Sequence, residues 1–168
     1  MQLFLWRHAD ASAGTPDKER PLSAEGLKQA ALTAKWLNSI LPVNSLILVS
    51  PAKRTCQTAD ALGRSYTIHD SVALGSTPEA ILSATGWPDG EKTVLVVGHQ
   101  PLLGYLASLL LGGKQQQWHV EKSNVWWFEG QGINHLETKL KAVISPSLLT
   151  TGGQIQLSEE NNKNNRVS

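Results

Sequence analysis

Residues 1–10 read MQLFLWRHAD, a short apolar run that stops on an Arg-His pair. The run from Leu3 to Trp6 is too short for a helix and predicts a buried strand. In an α/β protein, Arg7 and His8 would then follow the carboxyl end of a parallel strand, where open sheets bind their ligands. The pair is a candidate site. The alternative is that Arg7 and His8 form a solvated strand end without a binding role. The motifs in the rest of the chain distinguish between these two interpretations.

The rest of the chain alternates between strand and helix patterns. Apolar runs predict strands at 45–49 and 93–97, a weaker one at 67–72, and an antiparallel hairpin from 124–129 and 134–144. Capping and helical spacing predict helices at 23–41, from Ser50-Pro51 onward, at 77–86 and at 102–111. This order predicts a single-domain, three-layer, doubly wound α/β fold, with a mostly parallel sheet and helices on both faces. We expect the domain to span 1–149, and 150–168 to be a polar, mobile tail.

Composition excludes several classes of protein. The chain has 168 residues and a net charge of +1, so no global basic field would attract nucleic acid or an anionic membrane. Its one cysteine, Cys56, excludes an internal disulfide framework and favours a reducing cytoplasm. No stretch has the length of a membrane span, and the start lacks a basic leader, so we expect neither a membrane segment nor a signal peptide.

Three motifs would converge at one edge of the predicted sheet. They are Arg7-His8, Arg54 in the first turn of a helix capped by Ser50-Pro51, and Gly98-His99 after the strand at 93–97. A cation in a first helical turn is unfavourable unless an anion binds there, although a solvated arginine is the alternative. Forked guanidinium donors suit phosphoryl oxygens, and a neutral imidazole is a competent nucleophile.

Four blocks of sequence together resemble the SixA-type histidine phosphatases, a branch of the phosphoglycerate mutase-like superfamily. They read LWRHADA at 5–11, RPLSAEG at 20–26, VSPAKRTCQTA at 49–59 and VVGHQPL at 96–102. The resemblance extends over residues 1–145. It implies a histidine phosphatase fold, with His8 as the nucleophile and Arg7, Arg54 and His99 around the phosphoryl group. Arg20 would add a contact from the rim, or would simply pair with Asp17 or Glu19.

The chain departs from the wider superfamily at two places. Ala9 stands where the family has a glycine, a change that matters only if position 9 needs a positive φ. Leu74-Gly75-Ser76 stands where mutase-like members place a glutamate that protonates the leaving group. The nearest carboxylate, Glu79, is a weak candidate for that acid because its position also complements a helix dipole. SixA proteins likewise lack a clear donor.

These observations predict a metal-independent phosphatase that acts through a phosphohistidine intermediate on His8 and needs no cofactor. We expect a monomer whose substrate is a phosphohistidine-bearing protein, such as a phosphotransfer domain of a phosphorelay. One alternative is a small-molecule phosphomonoesterase or mutase that uses Glu79 as its acid. The other is a catalytically silent module that binds phosphate or phosphohistidine.

Overall fold

The computed structural model describes residues 1–131 and 137–156. Its strands are β1 (Gln2–Arg7), β2 (Leu46–Val49), β3 (Thr67–Ile68), β4 (Val94–Gly98), β5 (Val125–Glu129) and β6 (Lys139–Ile144). Its α-helices are α1 (Ala24–Ile40), α2 (Lys53–Asp60), α3 (Pro78–Thr85) and α4 (Leu102–Gly112). Short 3-10 helices occur at Asp17–Glu19, Asp70–Val72 and Pro146–Leu148.

The six strands form one sheet in the order β3-β2-β4-β1-β5-β6. Strand β4 lies between β1 and β2 and is parallel to both, and β3 is parallel to β2. Strands β5 and β6 extend the other side in antiparallel pairing. The prediction of a mostly parallel sheet with an antiparallel extension is confirmed.

Helices cover both faces of the sheet. Alternate residues of β1 point to opposite faces, so Phe4 and Trp6 pack with α1 and α2 while Leu3 and Leu5 pack with α3 and α4. All four of these strand side chains are fully buried. The two resulting cores confirm the predicted three-layer, doubly wound architecture. Within the described ranges, none of the helices has the length and apolar content that crossing a bilayer requires.

Several predicted element boundaries differ from the structure. The strand expected at 67–72 is shorter: β3 contains only Thr67 and Ile68, and both are exposed. The chain then turns into the 3-10 helix Asp70–Val72, which buries Val72. Strand β6 begins at Lys139, and the predicted strand residues 134–136 lie outside the described residues. The same holds for 157–168 of the expected tail. Residues 150–156 turn back on the chain, so that Ile155 forms an antiparallel bridge with Leu149. The ammonium of Lys35 donates to the carbonyl of Thr151 in this turn.

The loop that follows His8 is fixed against the start of α1. Ser23 caps this helix, as predicted, by accepting from the amide of Gly26, and its hydroxyl donates to the Asp10 carboxylate over 2.6 Å. A Cβ placed on Gly26 would lie 1.9 Å from the carbonyl oxygen of Asp10. Only glycine therefore allows the helix to approach the loop this closely.

We expect Gly26→Ala to lower the free energy of unfolding by about 1–3 kcal/mol, because the backbone of Asp10 has to move. Chemical denaturation measures the change. The matched control is Gly112→Ala at the end of α4, where an added Cβ meets nothing within 4 Å and a gain of ~0.4–1 kcal/mol is expected. Equal stability of the two variants would contradict the assigned close contact.

Candidate active site

Three parallel strands end side by side and deliver the residues that follow them to one edge of the sheet. The amide of His8 donates to the carbonyl of Gly98 over 3.0 Å, and the amide of Ser50 donates to the carbonyl of Val97 over 3.1 Å. The parallel hydrogen-bond ladder thus continues one residue past β1 and β2. It aligns His8, Ser50 and His99, as the predicted convergence required.

His8 and His99 lie next to each other below the surface. Their ring centroids are 5.3 Å apart, and the side chains are 7% and 2% exposed. Nδ1 of His8 is 2.7 Å from the carbonyl oxygen of Ala9. A carbonyl only accepts, so in the neutral ring Nδ1 carries the proton and Nε2 keeps a free lone pair. Ala9 does not have a positive φ, so alanine meets no strain in place of the family's glycine.

Burial keeps the imidazole of His8 neutral. Loss of hydration lowers its pKa to about 4, and the charges of Arg54, Arg7 and Lys122 act in the same direction. The hydrogen bond to Ala9 opposes this shift without overcoming it. At neutral pH the side chain is therefore an unprotonated, hydrogen-bonded imidazole between cations.

We expect the His8 ring of the phosphate-free enzyme to stay neutral down to about pH 5 and to titrate near pH 4. The unfolded chain takes up this proton near its ordinary pKa of ~6.5, so His8 should also make stability fall as the pH drops from ~6.5 toward 4. Heteronuclear NMR of the ring nitrogens reports the protonation state directly. A midpoint above pH 6 would contradict the assigned burial and charge environment.

Ser50 orients the second histidine. Its Oγ is 2.7 Å from Nε2 of His99, and both side chains are buried. Burial, His8 and Arg54 lower the pKa of His99 to about 3, so this ring is neutral as well. When Ser50 donates to Nε2, the single ring proton lies on Nδ1. Nδ1 is buried, has no hydrogen-bond partner among the described residues, and is free to donate to a ligand oxygen.

We expect Ser50→Ala to lower phosphatase activity by about 10-fold or more, because the His99 ring loses the bond that selects its tautomer. Leaving Nε2 buried and unpaired should also cost ~1–3 kcal/mol of stability. The control is Ser108→Ala in α4, another buried serine, whose hydroxyl pairs with Gln116 away from these histidines. Activity and denaturation assays on both variants separate the effects: Ser108→Ala should lose stability alone.

Two arginines flank the histidines. Arg7 donates from Nη1 to the carbonyl of Val120 over 2.7 Å, while its buried Nε has no partner among the described residues. Arg54 is 4% exposed and donates to the backbone carbonyl and the carboxylate of Asp17 over 2.7 and 2.9 Å. Burial, followed by the charge of Arg54, lowers the pKa of Arg7. Two cations this close favour an anion between them.

The start of the helix that carries Arg54 differs from the prediction. Its N-cap is Ala52, which makes no side-chain cap bond, so Ser50 is not the cap and Pro51 is not the first helical residue. The hydroxyl of Ser50 is instead taken by His99. Arg54 is nevertheless the second residue of α2 and keeps its predicted place in the first turn.

The remaining predicted residues lie farther out. Arg20 donates to the carbonyl of Ser12 and to the carboxylate of Asp17, so it reaches Arg54 through Asp17. The pairing of Arg20 with Asp17 is the alternative that the sequence offered to a contact with the phosphoryl group. Glu79 is exposed and accepts from Gln115 over 2.6 Å. Within the described chain, no hydrogen bond joins Glu79 to either arginine or either histidine of the site.

Sequence reasoning missed two residues at this edge. Asp17 was considered only as a partner of Arg20, and Ser50 only as a helix cap. The position of each depends on a residue distant in sequence, since Asp17 meets Arg54 and Ser50 meets His99. The directly preceding apolar strand was the one available signal for Ser50. No three His, Cys, Asp or Glu side chains cluster as a metal site in the part of the chain that the structure describes.

Known proteins share both the motifs and the fold. The sequence model of the histidine phosphatase superfamily (branch 1) matches residues 3–73. The chain is 33% identical over 129 residues to the phosphohistidine phosphatase SixA of Escherichia coli K12, covering 68% of this chain and 76% of that protein. A SixA homolog of Haemophilus influenzae is 29% identical over 164 residues, covering 82% and 100%. A protein histidine phosphatase SixA solved with tungstate superposes with a TM-score of 0.70 at 25% identity, covering 88% and 98%.

The fold and the clustered arginines and histidines thus define a phosphatase. The chain belongs to the histidine phosphatase superfamily, within its SixA-type group.

Proposed function

We propose that the protein removes phosphate from a phosphohistidine on a partner protein through a covalent phosphohistidine at His8. The observation that carries this proposal is the neutral His8 ring, whose Nδ1 is held by the Ala9 carbonyl beside two arginines. A nucleophile needs a free lone pair, and this bond leaves it on Nε2. We assign Arg7, Arg54 and His99 to binding of the phosphoryl oxygens.

In the first step, Nε2 of His8 attacks phosphorus in line with the leaving nitrogen. The Nε2–P bond forms as the P–N bond of the substrate breaks. The electron pair of that bond stays on the leaving ring, whose other nitrogen already carries a proton, so the ring departs as neutral imidazole. His8 becomes a phosphorylated imidazolium whose Nδ1–H donates to Ala9. Arg7, Arg54 and the Nδ1–H of His99 stabilise the charge that spreads over the equatorial oxygens.

In the second step, water attacks the phosphorus of phospho-His8. The new O–P bond forms, the Nε2–P bond breaks, and His8 returns to its neutral tautomer while inorganic phosphate leaves with the proton lost from water. Both steps leave the arginine charges unchanged. The same preorganised donors can therefore stabilise the phosphoryl oxygens in both steps. The chemistry needs no metal, and we propose that none takes part.

The choice of phosphohistidine as substrate has two supports. The relative from Escherichia coli is named a phosphohistidine phosphatase, and tungstate, bound by another SixA protein, is a tetrahedral oxyanion like phosphate. In addition, Glu79 faces Gln115 and makes no bond to the four site residues. Without a committed acid, a leaving imidazole is favoured over an alkoxide, which needs a proton. We propose a cytoplasmic monomer that acts on a domain of the phosphotransfer type.

We expect wild-type protein mixed with a phosphohistidine substrate to show acid-labile phosphate on His8 after rapid quenching. His8→Ala should abolish both this adduct and turnover, because no other side chain at the strand ends has a free imidazole lone pair held in place. Mass spectrometry of alkaline digests locates the phosphate. Phosphate on any other residue would refute the assignment, and binding without release would identify a silent module.

Two control variants accompany this experiment. His69→Ala removes an exposed histidine that is bonded to Ser71, and it should leave the adduct unchanged. Glu79→Gln should leave phosphohistidine hydrolysis within about 2-fold of wild type, because its carboxylate is not at the leaving group. Loss of activity on every substrate in Glu79→Gln would instead make Glu79 the acid and favour the phosphomonoesterase alternative, since a general acid contributes ~10²- to 10⁴-fold.

A further inference from the structure

A carboxylate lies at the rim of the phosphoryl site. Asp17 belongs to the 3-10 helix Asp17–Glu19, in the segment between β1 and α1. Its Oδ2 is 2.9 Å from Nη2 of Arg54, its Oδ1 is 2.9 Å from Nη1 of Arg20, and its carbonyl accepts from Nη1 of Arg54. The same guanidinium that we assign to the phosphoryl group therefore also binds a carboxylate.

This placement is unfavourable for a simple phosphate ester. A negative charge one guanidinium away repels a dianionic ligand and neutralises part of the charge of Arg54. The Asp17 charge also acts on His99 by raising its pKa, although burial, His8 and Arg54 lower that pKa by more. A carboxylate in this position disfavours a dianionic phosphate ester and favours a ligand with a positive charge beside its phosphoryl group. Binding sites often discriminate between ligands by such a repulsive group. The favoured ligand should carry a positive charge next to its phosphoryl group.

Asp17 does not act as the missing proton donor. Hydrogen bonds from Arg20 and then Arg54 lower the pKa of its carboxyl group. The carboxyl group is consequently ionised at neutral pH. An ionised carboxylate accepts hydrogen bonds but has no proton to donate. Whatever it does for the leaving group, it does as an anion.

Phosphohistidine is a phosphate substrate whose leaving group becomes a cation by taking up one proton, unlike that of a phosphate ester. Protonation of its second ring nitrogen gives an imidazolium. When the P–N bond of that form breaks, the electron pair neutralises the ring, which leaves as imidazole with the proton still on the second nitrogen. No proton has to be delivered during the step. A group that stabilises the imidazolium therefore replaces a general acid.

We propose that the Asp17 carboxylate accepts the ring N–H of the substrate's phosphohistidine imidazolium and thereby selects phosphohistidine over uncharged leaving groups. This proposal rests on the proposed function and deepens it. In this role, the Asp17 carboxylate contacts the ring of the substrate. Arg54 lies between Asp17 and the phosphoryl oxygens. Its partial exposure is consistent with a group that meets the part of the substrate extending outward.

We assign the departing ring to a hollow whose lining includes Lys18, the residue that follows Asp17 in the chain. It is lined, mainly with apolar surface, by Lys18, Ser50, Pro51, Ala52, Ala73 and Leu74. Lys18 follows Asp17 in the chain, and Ser50 bonds to His99, so the hollow is linked to the site through these two neighbours, although Arg7, His8, Arg54 and His99 do not line it. Its lining holds one cation, Lys18, and no carboxylate, so Asp17 is the neighbouring anion assigned to the ring N–H. Leu74 here occupies the segment where mutase-like relatives carry their acid.

The test compares two substrates and one oxyanion in wild type and Asp17→Asn. The substrates are a phosphohistidine peptide and p-nitrophenyl phosphate, whose leaving group is never a cation. We expect Asp17→Asn to reduce the ratio of the two kcat/KM values by about 10- to 100-fold, the amount that one hydrogen bond between charged groups provides. Inorganic phosphate should inhibit the variant at about 2- to 5-fold lower concentration, because a repelling charge is gone.

The matched control is Glu19→Gln, which removes a charge from the same 3-10 helix at another exposed position and should leave the ratio unchanged. An equal loss on both substrates with weaker phosphate inhibition would show that Asp17 merely holds Arg54, and would overturn the proposal. An unchanged ratio would overturn it too. Wild type that hydrolyses p-nitrophenyl phosphate but no phosphohistidine would refute the proposed function itself, a result that does not involve the variant.

Discussion

The parallel pairing of β4 with both β1 and β2 is the constraint on which the site depends. Backbone hydrogen bonds set the register of the three strands, and they continue one residue further through the amides of His8 and Ser50. Because alternate side chains of these strands fill two different cores, a one-residue slip would exchange the side chains packed in each core and is disfavoured. His8, Ser50 and His99 are consequently held at the ends of the hydrogen-bonded central strands.

Side-chain hydrogen bonds then fix the loops around that platform. The amide of Ala9 donates to Thr58, the amide of Leu22 donates to Gln57, and the hydroxyl of Ser23 donates to Asp10. Several residues of the recognisable sequence blocks therefore carry no chemistry of their own. They connect the segment after β1, the start of α1 and the helix α2, which supplies Arg54. In this chain, therefore, the first three blocks are joined to one another by hydrogen bonds.

Electrostatics gives the site its character. Arg7 and Arg54 bring positive charge to an edge where two buried histidines remain neutral, so the free site favours an oxyanion. Asp17 offsets part of this charge while no substrate is present and keeps Arg54 in place. Under the functions proposed above, the same carboxylate turns a general phosphate pocket into one that favours a cationic leaving group.

Local pattern determined much of this protein. The apolar runs at 3–6 and 93–97 and the Ser23 cap predict their elements because burial periodicity and capping act within a few residues. The shared edge of Arg7, His8, Arg54 and His99 follows from the strand–helix alternation, which predicts parallel strands ending on one side, although the roles of these residues remain predictions. The tertiary structure decided that α2 begins at Lys53, that Ser50 bonds to His99, and that Asp17 lies between Arg20 and Arg54. Each of these depends on a contact between segments far apart in the chain, where backbone geometry and competing partners, rather than local preference, select the hydrogen bond that forms.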